Sequence, residues 1–228
     1  MESFKKYGFE FLTIFIGIFA AFALDNWKEN RKDQFTEIKI LTEIRNGLIK
    51  DFEDINTNET GHKQGVSAVV FFRNLISTNQ TKDDSAGLHY FNLFRDFISV
   101  QNISGYETLK SKGLEIIEND SLRSHIISLY EYDYNALRKL EENYSELQFQ
   151  ESYFNEFNKH LAPSFIFNKE GVISGINPRL SIPENEKKIL MVDLWKIQKN
   201  RDFMLKYYSG VKLKVKKLQD EINQELKR

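Results

Sequence analysis

The sequence predicts an all-α protein in which an N-terminal transmembrane helix continues into an antiparallel helical bundle with coiled-coil-like terminal helices. One apolar segment, residues 7–27, stands at the N-terminal end of an otherwise polar chain. Beyond it, apolar residues recur at spacings of 3 and 4 through much of the sequence, the period of an amphipathic helix. Glycine and proline number 11 and 3 in 228 residues, too few for a fold with many tight turns. The expected organisation is a short tail (residues 1–6), the transmembrane helix (7–27) and the bundle (28–228), with an irregular stretch at 163–183.

The apolar segment has the length of a membrane span. From Phe11 to Leu24, 14 residues carry no charge, and Glu10 interrupts the run back to Tyr7. At 1.5 Å per residue, residues 7–27 rise roughly 30 Å, one hydrocarbon core. Tyr7 and Trp27 mark its ends, where amphipathic rings favour the headgroup level. Two other readings stand beside the anchor: a signal peptide, with Ala21, Phe22 and Ala23 as an A-x-A cleavage pattern, and a buried helix of a soluble domain. Glu10, the bulky phenylalanines and the unbroken helical pattern that follows favour a retained anchor.

The first polar helix should run over 28–55 on the stripe Leu41, Ile44, Leu48, Phe52 and Ile55, ending at Asn56, Thr57, Asn58 and Gly61. A second is expected over 64–76, with Val66, Val69, Val70 and Phe71 or Phe72 inward. Residues 77–85 read as a polar loop, and Leu88, Phe91, Phe94 and Ile98 as a third stripe. A short helix over 106–112 should stop at Gly113, a natural left-handed residue. Asn119, Asp120 and Ser121 offer N-cap chemistry for a long helix reaching about His160, with Leu122, Ile126, Leu129, Leu137, Leu140, Tyr144 and Leu147 inward. Phe165, Ile166 and Phe167 can pair with Val172 and Ile173 as a hairpin around Lys169, Glu170 and Gly171. Ser181 and Glu184 form a capping-box pattern opening the last helix. That helix carries Leu194, Ile197, Arg201, Met204, Tyr208, Val211, Val215, Leu218 and Ile222 in a heptad seam with one polar defect, Arg201. Its expected partner is the helix at 28–55.

Composition excludes several chemistries. A net charge of −1 with 29% charged residues gives no reason to expect a nucleic-acid partner. The absence of cysteine removes disulfides, thiolate metal sites and a cysteine nucleophile. His62, His89, His125 and His160 are dispersed, without an HExxH spacing. There is no GxSxG elbow and no GxxxxGKS/T or GxGxxG loop. No catalytic, metal-ligating or cofactor-binding residue is assigned, and no cofactor is expected. Glu131, Asp133, Glu141 and Glu142 read as solvated carboxylates on an exposed helix face. Lys212, Lys214, Lys216 and Lys217 read as a solvated coiled-coil flank.

Two blocks carry a family resemblance. The first is Lys6, Tyr7, Glu10, Gly17, Ile18, Ala21, Asn26, Trp27, Glu29, Asn30, Arg31 and Lys32. The second is the run 106–114 (YETLKSKGL), followed by residues 119–123 (NDSLR) and by Leu129, Tyr130 and Glu131. Together they resemble a bacterial family of single-pass membrane proteins of unknown function, common in the Bacteroidota, over roughly the first 145 residues. Its members often carry a longer basic segment before the anchor, which this chain lacks. The resemblance implies a retained anchor and a topology; it implies no activity.

Two sets of residues are candidates for function. Glu10, Thr13, Gly17 and Ala21 share one helical face, and Thr13, Gly17 and Ala21 form a small-xxx-small seam of the kind that lets membrane helices approach closely. Self-association or docking to another membrane protein is the functional reading; the plain one is a Glu10 that reaches the headgroups. Tyr106, Glu107, Lys110 and Arg123 could line a ligand or partner pocket, although capping accounts for the turns around them. The chain is therefore expected to be a non-enzymatic, membrane-anchored scaffold whose partners are the bilayer and a second copy or another membrane protein. The alternative is a sensory bundle that signals through a partner, since about six residues precede the anchor. Lys5 and Lys6 flank one side, Lys28, Arg31, Lys32 and Lys39 the other; that count taken literally favours the bundle inside, but the short tail and the basic segments of the resembled family favour a bacterial inner membrane with the bundle in the periplasm.

Overall fold

The computed structural model describes residues 2–80 and 85–227. It is all-α apart from a single small hairpin among the described residues. Helix α1 (Glu2–Thr78) is one rod of 77 residues, about 115 Å long. The expected tail is thus already helical from Glu2, and the helices anticipated at 28–55 and 64–76 are one.

The residues that resemble a helix stop are consumed by packing. The Thr57 and Thr60 hydroxyls donate to the carbonyls of Glu53 and Asn56, one turn back. Asn58 is buried and donates to Ser99 Oγ at 3.1 Å. Gly61 lies under the Phe97 ring, where a Cβ would come within 2.0 Å of Cζ. Close approach, not a turn, explains that glycine.

Helix α7 (Glu184–Glu225) packs along the distal part of α1. Arg73 donates to Gln198 at 2.5 Å and Lys212 to Asn56 at 3.1 Å, so one chain rises as the other falls and the pair is antiparallel. Every residue of the heptad seam is buried, and Ile44, Leu48, Ile55, Val69 and Phe72 of α1 belong to the same core. Val70, expected inward, is 45% exposed. The capping box does not form. Pro183 holds the N-cap position with no side-chain bond, and Glu184 instead pairs with Lys187 at 2.9 Å.

Between the long helices lie shorter elements. Residues 81–84 of the expected polar loop lie outside the described residues. Helix α2 (Ala86–Phe94) buries Ala86, Asn92, Leu93 and Phe94. Leu88, Phe91 and Ile98 of the expected stripe are instead exposed; α2 ends at Phe94, and Ile98 lies in the segment without helix or strand that follows. Helix α3 (Ser104–Lys112) stops as expected at Gly113, whose φ is 101° and whose N–H reaches the Leu109 carbonyl at 3.0 Å. Asn119 caps α4 (Asp120–Ile127) by accepting from the Leu122 N–H at 3.2 Å.

The long helix expected from there to His160 is divided. A π-helical turn (Ser128–Asp133) joins α4 to α5 (Tyr134–Asn143), the chain breaks at Tyr144, and α6 (Phe149–Leu161) follows. Tyr144, expected inward, is 45% exposed. The hairpin forms, with β1 (Phe165–Phe167) antiparallel to β2 (Ile173–Ile176), and Gly171 turns with φ 76°.

Candidate functional site

Glu10, Thr13, Gly17 and Ala21 lie on the part of α1 that projects from the bundle, and all four are exposed. The unbroken helix keeps them on one face. A Cβ on Gly17 would meet nothing within 4 Å, so the space that a second helix needs is open. The apolar window on this part of α1 has none of its residues buried in the body.

The second predicted set divides. Tyr106 donates to Glu131 at 2.9 Å, and Lys110 sits 3.0 Å from Glu107 and 3.6 Å from Glu131. Burial and the neighbouring carboxylate push the Tyr106 phenol up. Arg123 shares none of these partners. It donates to the Ile117 carbonyl at 2.7 Å and pairs with Asp120 and Glu115, pinning the turn between α3 and α4. The four side chains therefore form a surface ion network and a separate loop clamp, not one pocket.

The main polar constellation is one that the sequence reading passed over. Residues 95–103 join α2 to α3 as a strap with no helix or strand, so their backbone groups need partners from elsewhere. Acidic side chains of α1 and α5 supply them. Asp51 accepts from Asn102 N and Nδ2 at 2.8 and 2.7 Å and from the Tyr134 hydroxyl at 2.7 Å. Asp54 accepts from Val100 N at 3.1 Å. Glu141 accepts from Ser99 N at 2.9 Å, Ser99 Oγ at 2.6 Å and the Tyr208 hydroxyl at 2.5 Å. Burial pushes the Asp51 and Glu141 carboxyls up, and these hydrogen bonds pull them back.

The start of the strap is held by the opposite charge. Arg201, fully buried, donates Nη2 to the carbonyls of Asn92, Leu93 and Arg95 at 3.0–3.1 Å. Those are end carbonyls of α2, which lack helical partners and carry the negative end of its dipole. The guanidinium lies 4.1 Å from the Phe149 ring centroid. Its Nη1 donates to His62 Nδ1 at 3.3 Å, which leaves the imidazole neutral with its proton on Nε2. Gly65 makes room, since a Cβ there would come within 2.3 Å of Arg201 Cζ. Burial brings the Arg201 pKa to about 10, so it stays charged, and burial together with the Arg201 charge lowers His62 to about 3.

The carboxylates that looked solvated are thus partly interior. Glu141 and Asp133 are buried, and Asp133 takes Lys214 at 2.6 Å. Lys212 of the basic cluster pairs with Glu59, so two of those lysines tie elements together. What this arrangement does chemically is hold a strap and a helix end. Among the described residues, no group of His, Asp and Glu is placed to hold a metal ion. No protein-family model, curated protein or solved structure matches the chain.

Proposed function

We propose that this chain is a non-enzymatic interaction module anchored in a bacterial inner membrane, with the bundle on the periplasmic side and a coiled-coil-like α1–α7 pair as its spine. The observation that carries this reading is the double use of α1. One stretch of a single unbroken helix is apolar and wholly uncovered by the body, while another supplies the core. Soluble monomers rarely leave so large a contiguous apolar surface in water, and a buried core helix would be covered. The two sequence blocks that resemble a single-pass family point the same way. The buried polar cluster, in which Asp51 and Glu141 accept from strap and hydroxyl groups and Arg201 donates to the end carbonyls of α2 and to His62, favours a structural use of those side chains over acid–base chemistry.

The test is alkaline carbonate extraction of cell membranes together with the N-terminal sequence of the mature protein. Retention in the pellet with residues 7–27 intact is expected. Release into the supernatant, or a mature chain beginning at Leu24, would overturn the anchor. A sensory bundle is the second reading, supported by the rigid continuity of α1 from the apolar stretch to the far end of the bundle. A partner that co-purifies constantly in mild detergent supports the scaffold, whereas a ligand-dependent melting shift supports the sensor.

A further inference from the structure

Where α1 leaves its apolar segment, Lys28, Arg31, Lys32 and Lys39 fall on one face, at spacings of three, one and seven residues. With Lys112 at the end of α3 they line an open groove of about 770 Å³. Trp27 and Phe35 lie in the same groove, 58% and 66% exposed, and Arg31 stands 5.1 Å from the Trp27 ring centroid. No carboxylate is among the described residues lining it. Asp33 and Glu37 lie on another face of the helix, Asp25 and Glu29 stand one turn from Lys28 and Lys32, and Glu37 accepts the Glu118 N–H at 3.1 Å. Unlike Lys212 and Lys214, these five cations are in no ion pair among the described residues.

We propose that this groove seats the anionic phospholipid headgroups of the leaflet from which α1 emerges. The inference rests on the membrane anchor proposed above. With Trp27 at the hydrocarbon boundary, Lys28, Arg31 and Lys32 climb only about 7 Å, the thickness of one headgroup layer. Lys39 stands about 18 Å above that boundary on an upright helix, and Lys112 of α3 lines the groove with it. They come closer as the helix tilts toward this face and act through a screening length of about 8 Å. A soluble phosphate could offer the same phosphodiester or phosphomonoester chemistry to the cations. It would leave Trp27 and Phe35 unused, whereas the glycerol and acyl border of a lipid covers them.

The full chain is reconstituted in bilayer discs of phosphatidylcholine containing phosphatidylglycerol as a minor lipid, which removes any dependence on cellular insertion. Lipid retained around the protein is then measured by native mass spectrometry. Phosphatidylglycerol should be enriched over its bulk share by roughly fivefold or more, since each cation at the surface is worth about that factor. The triple variant Lys28→Gln/Arg31→Gln/Lys32→Gln should lose the enrichment, whereas Lys216→Gln on α7 should keep it, both with unchanged bundle melting. A carbonate-resistant chain with no enrichment, or a triple variant that retains it, overturns the headgroup seat and leaves the anchor standing. Competition by millimolar glycerol phosphate assigns the groove to a soluble phosphate and overturns the lipid assignment. A chain that carbonate releases fails on both counts.

Discussion

Arg201 carries its charge into the middle of the bundle, where the desolvation of a guanidinium is expensive unless every lobe is occupied. Three carbonyls at the end of α2 and the Phe149 ring occupy most of it, so the residue works as a buried C-terminal cap on a helix of another part of the chain. His62 must then stay neutral beside it, and that makes folding depend on pH. The unfolded imidazole binds its proton near pH 6.5 and the folded one near 3, so between those values the unfolded state takes up more protons. His62's contribution to stability is complete above about pH 6.5 and is lost as pH falls, by up to about 1.4 kcal/mol per unit. Asp51, Asp96 and Glu141, raised by burial, act in the opposite sense as pH falls through their own range. The measurement is therefore a difference: the unfolding free energy of the wild type minus that of His62→Gln should shrink between pH 6.5 and 4.5, and a constant difference would exclude His62 as the linked group. The heptad spacing placed Arg201 on the seam correctly. Its partners escaped notice because a bare carbonyl has no sequence signature and His62 lies 139 residues away.

At the scale of elements, the strap at 95–103 explains both the misread carboxylates and the misread helix break. A segment with no helix or strand of its own needs acceptors for its N–H groups, most of all at the buried Ser99, and Asp51, Asp54 and Glu141 provide them. The sequence showed these acids only as charges on mixed helix faces. The stripe read onward from Leu122 buries Leu122, Ile126, Leu129, Leu137 and Leu147 as expected, but the π-helical turn (Ser128–Asp133) adds a residue to one turn. Beyond it, Leu137 and Glu141 are buried while Leu140 is only half-buried. The heptad of α7, which has no such turn, was legible throughout, as was the Gly113 stop. Glu141→Gln preserves size but turns an amide N–H₂ toward donors, and it should lower stability by about 1–3 kcal/mol. Its signature is local. Hydrogen exchange at the Ser99 amide should be slow in the wild type, although Ser99 is in no helix or strand, and much faster in the variant. Equal exchange in both proteins would mean that Glu141 does not hold the strap.

For the whole molecule, the decisive feature is that the exposed apolar segment and the core share one helix, so, with the proposed anchor, events in the bilayer and in the bundle are joined by a rigid rod and can still be perturbed separately. The apolar run was plain in the sequence because a long uncharged stretch is a composition signal that needs no tertiary context. Which of its faces meets a partner is less plain, since small residues are common in such helices. Glu10, Thr13, Gly17 and Ala21 nonetheless share a face, and the open space over Gly17 admits a second backbone as a small-xxx-small seam requires. Gly17→Ile fills that space with a branched side chain, and close packing of this kind is worth about 1–2 kcal/mol in a bilayer, or roughly a tenfold weakening of association. Energy transfer between labelled copies in vesicles should fall accordingly, while carbonate resistance and bundle melting stay as in the wild type, because Gly17 touches nothing in the body. Should energy transfer persist unchanged, self-association would belong to the bundle and not to the seam, and Glu10 would be left with no work beyond reaching the headgroups.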